Sequence, residues 1–446
     1  MASLEIKTFL SIKKANIELR PFNIFIGPQA QGKSVIVKLV YLFETFTFQA
    51  FNEIVSDEIT VTQWKKIAQR SFEEIFPKYS WADSSFEIMY KHGDLWLQFS
   101  RKGVRTSSPV KFDCSESFSK LVESSRETFT KLVGELEQAS GTSRLSSYSI
   151  KRKARDQVMA KIAEWRIFSV EPIFIPASRS FFANIERNIF SLISKKLEID
   201  PLVARFGEIY ERLRFVSREF AGKPGRTRRQ NSKTETRISN AAWLQVLHGE
   251  YVFDGETEYI ENDRRRVKLM NSSSGQQEAI PLLFVLEFAN RLAMFQGNTT
   301  SAISFYIEEP EAHLFPKAQR TIASLLALSA SQNANASFSV TTHSPYLLSA
   351  FNNLTLAGRL YQLLPVERHH LIEKIVPKQM ALPPADLAAY EVNNGHVNSI
   401  LDVETGLVNG YLIDQVSEEF SAEFDQLLEL LPKSSANTGA SHVPHN

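Results

Sequence analysis

The sequence predicts an α/β fold: one sheet-and-helix domain split by a largely helical insertion. Three observations carry it. Apolar runs of strand length open the chain and end in Ile24-Phe25-Ile26; a glycine-bounded turn and a helix over residues 33–43 follow. From residue 238 onward, short strands alternate with helices again. Between these regions helical periodicity dominates. Residues 1–45 and 238–411 therefore read as one split domain, with 46–237 as an inserted arm made of a β-hairpin plus a helical hairpin.

The elements follow in order. Residues 1–26 read as β structure, because Leu4 and Ile6, then Ile17 and Leu19, alternate with polar residues. A run that is apolar throughout, such as 24–26, suits a parallel strand covered on both faces. In the insertion, Phe86, Ile88 and Tyr90 alternate, His92-Gly93-Asp94 turns, and Leu95, Leu97 and Phe99 return, which predicts a hairpin over 84–100. Residues 115–138 and 150–166 are helical in pattern on either side of a Ser/Gly-rich stretch, a hairpin too short for a long coiled coil. More helix is expected over 181–220. A basic loop follows at 222–237, where Lys223, Arg226, Arg228, Arg229, Lys233 and Arg237 face one acid, Glu235. Beyond it come short strands near 251–269, a helix over 275–296, a strand at 303–307, a helix at 316–330 and a strand at 338–342. Residues 354–411 look mixed. An amphipathic helix is expected at 412–431 and a disordered tail at 432–446.

Composition sets limits on class. The 446 residues exceed one typical domain, and 43% hydrophobic with 23% charged is ordinary for a globular chain. No apolar run reads as a membrane span, and the N-terminus lacks the apolar core of a signal peptide. A lone cysteine, Cys114, excludes an intrachain disulfide framework and a cysteine zinc hook. A cytoplasmic location with no membrane partner is the expectation. Net charge +1 gives no global pull on nucleic acid, so only local patches could bind it.

Four motifs carry chemistry. Gly27-Pro28-Gln29-Ala30-Gln31-Gly32-Lys33-Ser34 fits G-x-x-x-x-G-K-[ST] without mismatch, between an apolar strand and a helix. A loop closed by two glycines can wrap its N–H groups around phosphates, and the helix N-terminus adds its positive end. Lys33 would reach the β- and γ-phosphates of ATP, and the Ser34 hydroxyl would ligate Mg²⁺. Phe305-Tyr306-Ile307-Glu308-Glu309 is an apolar strand that ends in two carboxylates. Paired acids there are costly to bury unless a cation or a proton uses them. Glu308 reads as the Mg²⁺ carboxylate and Glu309 as the base that polarises water. Ser273-Ser274-Gly275-Gln276 begins a helix whose apolar face carries Ile280, Leu283 and Leu286. The plain reading of its serines is a capping box with Gln276 or Gln277. His343 ends another apolar strand, 34 residues beyond Glu309.

Taken in order, these pieces resemble Walker A, signature, Walker B and switch histidine of ABC/SMC-type ATPases. The resemblance implies that Ser273, Ser274, Gly275 and Gln276 bind the γ-phosphate held by an opposing subunit, and that His343 contacts it from its own side. The 239 residues between Lys33 and Ser273 fit an inserted arm. No glutamine stands where a Q-loop is expected; Phe174-Ile175-Pro176-Ala177-Ser178-Arg179-Ser180 occupies the place, and Arg179 could approach phosphate, approach a partner or form an internal salt bridge.

Glu308-Glu309-Pro310-Glu311-Ala312-His313-Leu314, with Thr342-His343-Ser344-Pro345, further resembles the ATPase domain of the OLD family. Those relatives carry a second histidine where this chain has Phe315. OLD proteins fuse a Toprim nuclease after the ATPase; the residues after His343 contain no Asp-x-Asp pair, so this chain is not expected to be the nuclease. The Walker A run and Val397-Asn398-Ser399-Ile400-Leu401-Asp402 are similar to ATPase subunits of anti-phage systems, the PARIS system first and Septu second. That resemblance implies a homo-oligomer, from a dimer up to a hexamer. It also implies a separately encoded effector nuclease and a phage-derived trigger protein. The alternative is a RecF/SMC-like DNA-repair ATPase that contacts the phosphate backbone through 222–237 and Arg264-Arg265-Arg266.

Overall fold

Strand β3, Phe22–Ile26, is covered on both faces because Phe22, Ile24 and Phe25, each at most 1% exposed, are apolar and Asn23 donates its amide to the Arg20 and Phe338 carbonyls. It lies well inside an 11-stranded sheet in a computed structural model of the chain. The structure describes residues 2–56, 58–103, 109–139, 147–163, 172–184, 199–221, 242–254, 257–263, 265–295, 303–332, 336–409 and 426–427.

The sheet has two regimes. On one side β13 (Leu387–Asn393), β3, β12 (Ser337–Thr342), β11 (Ser304–Glu308) and β7 (Ile173–Ile175) run parallel. On the other, β6 (Lys111–Cys114), β5 (Leu95–Arg101), β4 (Phe86–His92), β1 (Ala2–Phe9) and β2 (Ile12–Leu19) pair antiparallel. The short β14 (His396–Ser399) joins the two, antiparallel to β13 and bridged to β2 at His396–Lys14. A separate three-stranded sheet holds β8 (Glu250–Phe253), β9 (Glu258–Asn262) and β10 (Arg265–Lys268). The α/β class expected from the sequence is the class observed.

The hairpin assigned to the insertion is not a free-standing arm. β4 pairs with β1 from Glu87 to His92 and continues the main sheet, and β7, also from the insertion, pairs with β11. The physical reason is the aromatic side of the wing. Phe9, Phe72, Phe76, Phe86, Phe99 and Phe112 form one buried cluster, with Phe72 and Phe99 stacked at 4.4 Å. Such rings gain more against a sheet than in an exposed arm. Helix α1 (Lys33–Gln49) and helix α2 (Val61–Ile75) close this cluster; Trp64 of α2 donates its indole N–H to the Phe46 carbonyl at 2.9 Å. The expected helical hairpin is found as α3 (Glu116–Ala139) and α4 (Ser147–Ala163).

Helix α5 (Ser180–Asn184) meets α6 (Pro201–Ala221) through the Phe182–Phe206 ring pair at 5.2 Å, and α6 meets α7 (Ser274–Phe295) through Tyr210–Phe284 at 5.9 Å. Helix α8 (Pro316–Gln332) lies against α9 (Pro345–Leu363). The region read as mixed thus resolves into α9 and the β13–β14 hairpin. One segment, Lys33–Ile54, is long and apolar enough to cross a membrane by composition, contrary to the reading above; it is a core helix, 67% buried in its most apolar window. The unit Met1–Val408 contains every element named here. Of Asn409–Asn446, only 409 and 426–427 are described, so the helix expected at 412–431 and the tail at 432–446 lie outside the described residues. So does the basic loop 222–237.

Candidate functional site

The glycine-bounded loop sits where β3 gives way to α1. Gly27 has φ +149°, and a Cβ there would lie 2.2 Å from the Val392 carbonyl oxygen of β13. Gly32 has φ +105°, and its Cβ would meet Ser11 Oγ at 2.6 Å. Neither position accepts a side chain, so the motif's glycines are set by the walls behind the loop as well as by the turn. Gln31 Oε1 accepts the Asn394 N–H at 2.8 Å, which ties the loop to the β13–β14 turn. Pro28, Gln29 and Ala30 face outward, and Ser34 is half-buried in the first turn of α1.

Gly32 is also the N-cap of α1, and no side chain caps that end. Elsewhere the sequence caps its helices: Thr60 accepts from Gln63 N at 3.2 Å, and Ser344 accepts from Tyr346 N and Leu347 N at 3.2 Å. An uncapped helix N-terminus behind a glycine loop leaves its N–H donors to an anion. The residues present fit a polyphosphate.

Lys33, only 5% exposed, donates to the Gly27 and Pro28 carbonyls at 2.7 and 2.6 Å, and its Nζ lies 3.2 Å from His343 Nδ1. Burial pulls its pKa down to about 8; the carboxylates of Glu309 and Glu311 offset this only in part. The other ring nitrogen, His343 Nε2, is 3.1 Å from Glu309 Oε1. Lys33, His343 and Glu309 therefore form one chain of contacts between residues 310 positions apart at its extremes.

Two neighbours hold this chain in place. Glu309 leaves β11 with φ +42°, a strained value for a non-glycine residue, and its N–H donates to the Thr341 carbonyl at 3.0 Å. Glu311 is buried; its Oε1 accepts from Thr342 Oγ1 at 2.7 Å and from the His343 N–H at 2.8 Å, which fixes the backbone that presents the histidine. Burial pushes the Glu311 carboxyl up, against the Thr342 and His343 hydrogen bonds. Its Oε2 finds no hydrogen-bond partner among the described residues. Glu308, also buried, accepts weakly from the Ala177 N–H at 3.4 Å. Sequence reasoning did not single out Glu311 or Thr342; a third acid in Glu-Glu-Pro-Glu was the available signal.

Arg179 has 0% exposure, so it cannot meet a partner. Its fork donates to the Pro176 and Glu308 carbonyls through Nη1, at 3.0 and 2.6 Å, and to the Glu309 carbonyl through Nη2 at 2.9 Å. Nε donates to the Glu278 carbonyl at 3.1 Å and lies 3.5 Å from the Glu278 carboxylate. Burial draws the guanidinium pKa down, and Glu278 draws it back up.

The Ser273–Gln276 turn makes its hydrogen bonds locally and to the Leu247 carbonyl. Ser273 and Gln276 form the expected capping box: Gln276 N donates to Ser273 Oγ at 3.4 Å, and Gln276 Oε1 accepts from Ser273 N at 3.1 Å. Ser273 and Ser274 are exposed, and Gly275 is buried with its Cβ position 2.6 Å from the His313 carbonyl. The basic candidates divide. Arg266 is spent on its own sheet, with Asp254 at 3.2 Å, Glu261 at 2.7 Å and the Tyr259 ring centroid at 3.8 Å. Arg264 lies outside the described residues.

Residues 148–348 match the family model described as an AAA ATPase domain. The match covers β7, α7, β11, α8 and β12 but not the glycine loop. No curated protein matches the chain in sequence. Among solved structures it is similar to an SMC head bound to the C-winged helix domain of ScpA, with 12% identity, TM-score 0.41, and 90% of this chain and 97% of that chain covered. It is also similar to the recombination mediator protein RecF-ATPrS in the RecFOR pathway, with 10% identity, TM-score 0.29, and 89% and 97% covered. Likeness at these scores decides nothing about individual residues.

Proposed function

We propose that this chain is an ATP hydrolase of the ABC/SMC type whose site is completed by a second copy. The observation that carries the reading is the convergence of Lys33, His343 and Glu309 at the mouth of an uncapped, glycine-bounded helix N-terminus. The loop N–H groups and Lys33 hold the phosphates. Ser34 and Glu308, together with phosphate oxygens, would hold Mg²⁺, which when bound would supply charge neutralisation at the phosphates. Glu309 orients the attacking water, and His343 reads the terminal phosphate while keeping Glu309 in register. Ser273 and Ser274, exposed at a helix N-terminus, complete the partner's pocket with Gly275 and Gln276.

Glu309→Gln tests this. It should keep ATP affinity within about threefold, lower hydrolysis by ~10²-fold or more, and accumulate an ATP-dependent dimer on size exclusion. Hydrolysis at the wild-type rate would overturn the assignment.

The finer role rests on the OLD-like run Glu308 to Leu314. We infer an ATP-controlled homo-oligomeric scaffold that restrains a separately encoded nuclease until a phage protein is sensed. Co-purification of an adjacent-gene nuclease with wild type, and its altered retention by Lys33→Ala, would support that role. The basic run 222–237 favours a RecF-like reading instead. DNA affinity that falls steeply with salt and vanishes when those arginines are neutralised would decide for it.

A further inference from the structure

We propose that Arg179 is a positioning residue that transmits the setting of helix α7 to the Glu308–Glu309 turn, and through it to the carboxylate that orients water. This rests on the reading of Glu309 given above. Three observations carry it.

The first is where the fork points. A buried guanidinium placed for charge neutralisation aims both Nη groups at a carboxylate. Arg179 aims them at main-chain carbonyls, those of Pro176, Glu308 and Glu309. Among the described residues its ion-pair carboxylate is Glu278, 3.5 Å from Nε, which also accepts the Arg179 N–H at 3.0 Å.

The second is the conformation it holds. At φ +42° the Glu309 carbonyl has turned out of the β ladder, where it accepts the Ala312 N–H at 3.0 Å and Arg179 Nη2 at 2.9 Å. Thr341 fixes the N–H side of that residue, and Arg179 Nη2 joins Ala312 in fixing the C=O side. With its backbone pinned at both ends, the Glu309 side chain is delivered to His343 Nε2.

The third is the other end of the link. Glu278 lies in the first turns of α7, the helix that Ser273 caps and whose start presents Ser273 and Ser274 outward. The Glu278 carbonyl and carboxylate both engage Arg179. A shift of the α7 N-terminus when it meets a neighbour's phosphates is thereby felt at Glu309. Lysine cannot reproduce the link, because a point charge on a flexible stem does not fix four acceptors in one plane.

The test compares Arg179→Lys and Glu278→Gln with wild type in the full-length chain, with two readouts. The first needs no nucleotide: amide hydrogen exchange of the nucleotide-free protein. Peptides over 305–314 should exchange at least ~3-fold faster in both variants, while peptides over 22–36 stay unchanged. The second is hydrolysis, where kcat should fall about 10-fold or more with KM and ATP Kd within threefold. Unchanged exchange over 305–314, or wild-type kcat in Arg179→Lys, overturns the proposal. So does equal loss of protection in 22–36 and 305–314, which marks a general structural role. Should Arg179→Lys fail to fold, Glu278→Gln carries both readouts. Glu309→Gln run in parallel separates the two readings: if it hydrolyses normally, the role of Glu309 fails while the exchange result still judges Arg179.

Discussion

The glycine loop and the Ser273 turn are both helix N-termini, and they are built differently. At α1 the N-cap is a glycine with no side-chain cap, and the first helical residue, Lys33, is buried and held by carbonyls of its own loop. At α7 the N-cap serine already satisfies its helix through Gln276, and both serines face solvent. The first terminus keeps its donors for a ligand and surrounds them with chemistry from the same chain. The second is finished as a piece of structure and lends one exposed edge. On the reading proposed above, a pocket assembled from one end of each kind takes two copies. Glu278 and Arg179 are what join them within a subunit.

The largest effect should come from breaking the first terminus. Lys33→Ala should weaken ATP binding at least ~100-fold, about 2.7 kcal/mol, as measured by fluorescent-nucleotide titration. Binding within tenfold of wild type would detach the lysine from the phosphates. Ser273→Arg breaks the second terminus. Because Ser273 is exposed, the variant should fold and bind ATP normally yet lose ~10²-fold in hydrolysis. Mixing Lys33→Ala with Ser273→Arg should restore roughly a quarter of wild-type activity, since half the dimers then hold one intact composite pocket. No recovery on mixing would place each pocket within a single chain.

The smallest effect concerns the Lys33 proton. Its folded pKa, about 8, lies below the 10.5 of an ordinary lysine. Between those values the unfolded chain binds more protons, so nucleotide-free stability should rise with pH across that window, and the cost is fully present below pH 8. Phosphates would restore the charge. At pH 8.5, binding should take up roughly three-quarters of a proton, visible by calorimetry in buffers of different ionisation enthalpy. Lys33→Arg, always charged, should show none.

Local elements were readable in advance where local physics decides them. Apolar Ile24 to Ile26, the glycine spacing, the acids ending β11 and the Ser273 box each depend on neighbours within a few residues. The rest depends on pairing across the chain. Val392 and Asn394 back the glycine loop from about 360 residues away, and nothing in their own stretch announces it. The β4–β5 hairpin was visible as a hairpin, but its edge pairing to β1 was not. Arg179 was visible as a charge; only the fold reveals that its acceptors are carbonyls.

The place of β3 has a consequence for synthesis. Its two neighbours, β12 and β13, are aligned with Phe22 through Phe338 and Leu387. A ribosome finishes this strand early and must add more than 300 further residues before either edge can be covered. A long-lived, uncovered apolar strand slows folding and invites association with other nascent chains. Production of this protein should therefore respond strongly to elongation speed and to holding chaperones, and pieces cut short of residue 387 should aggregate.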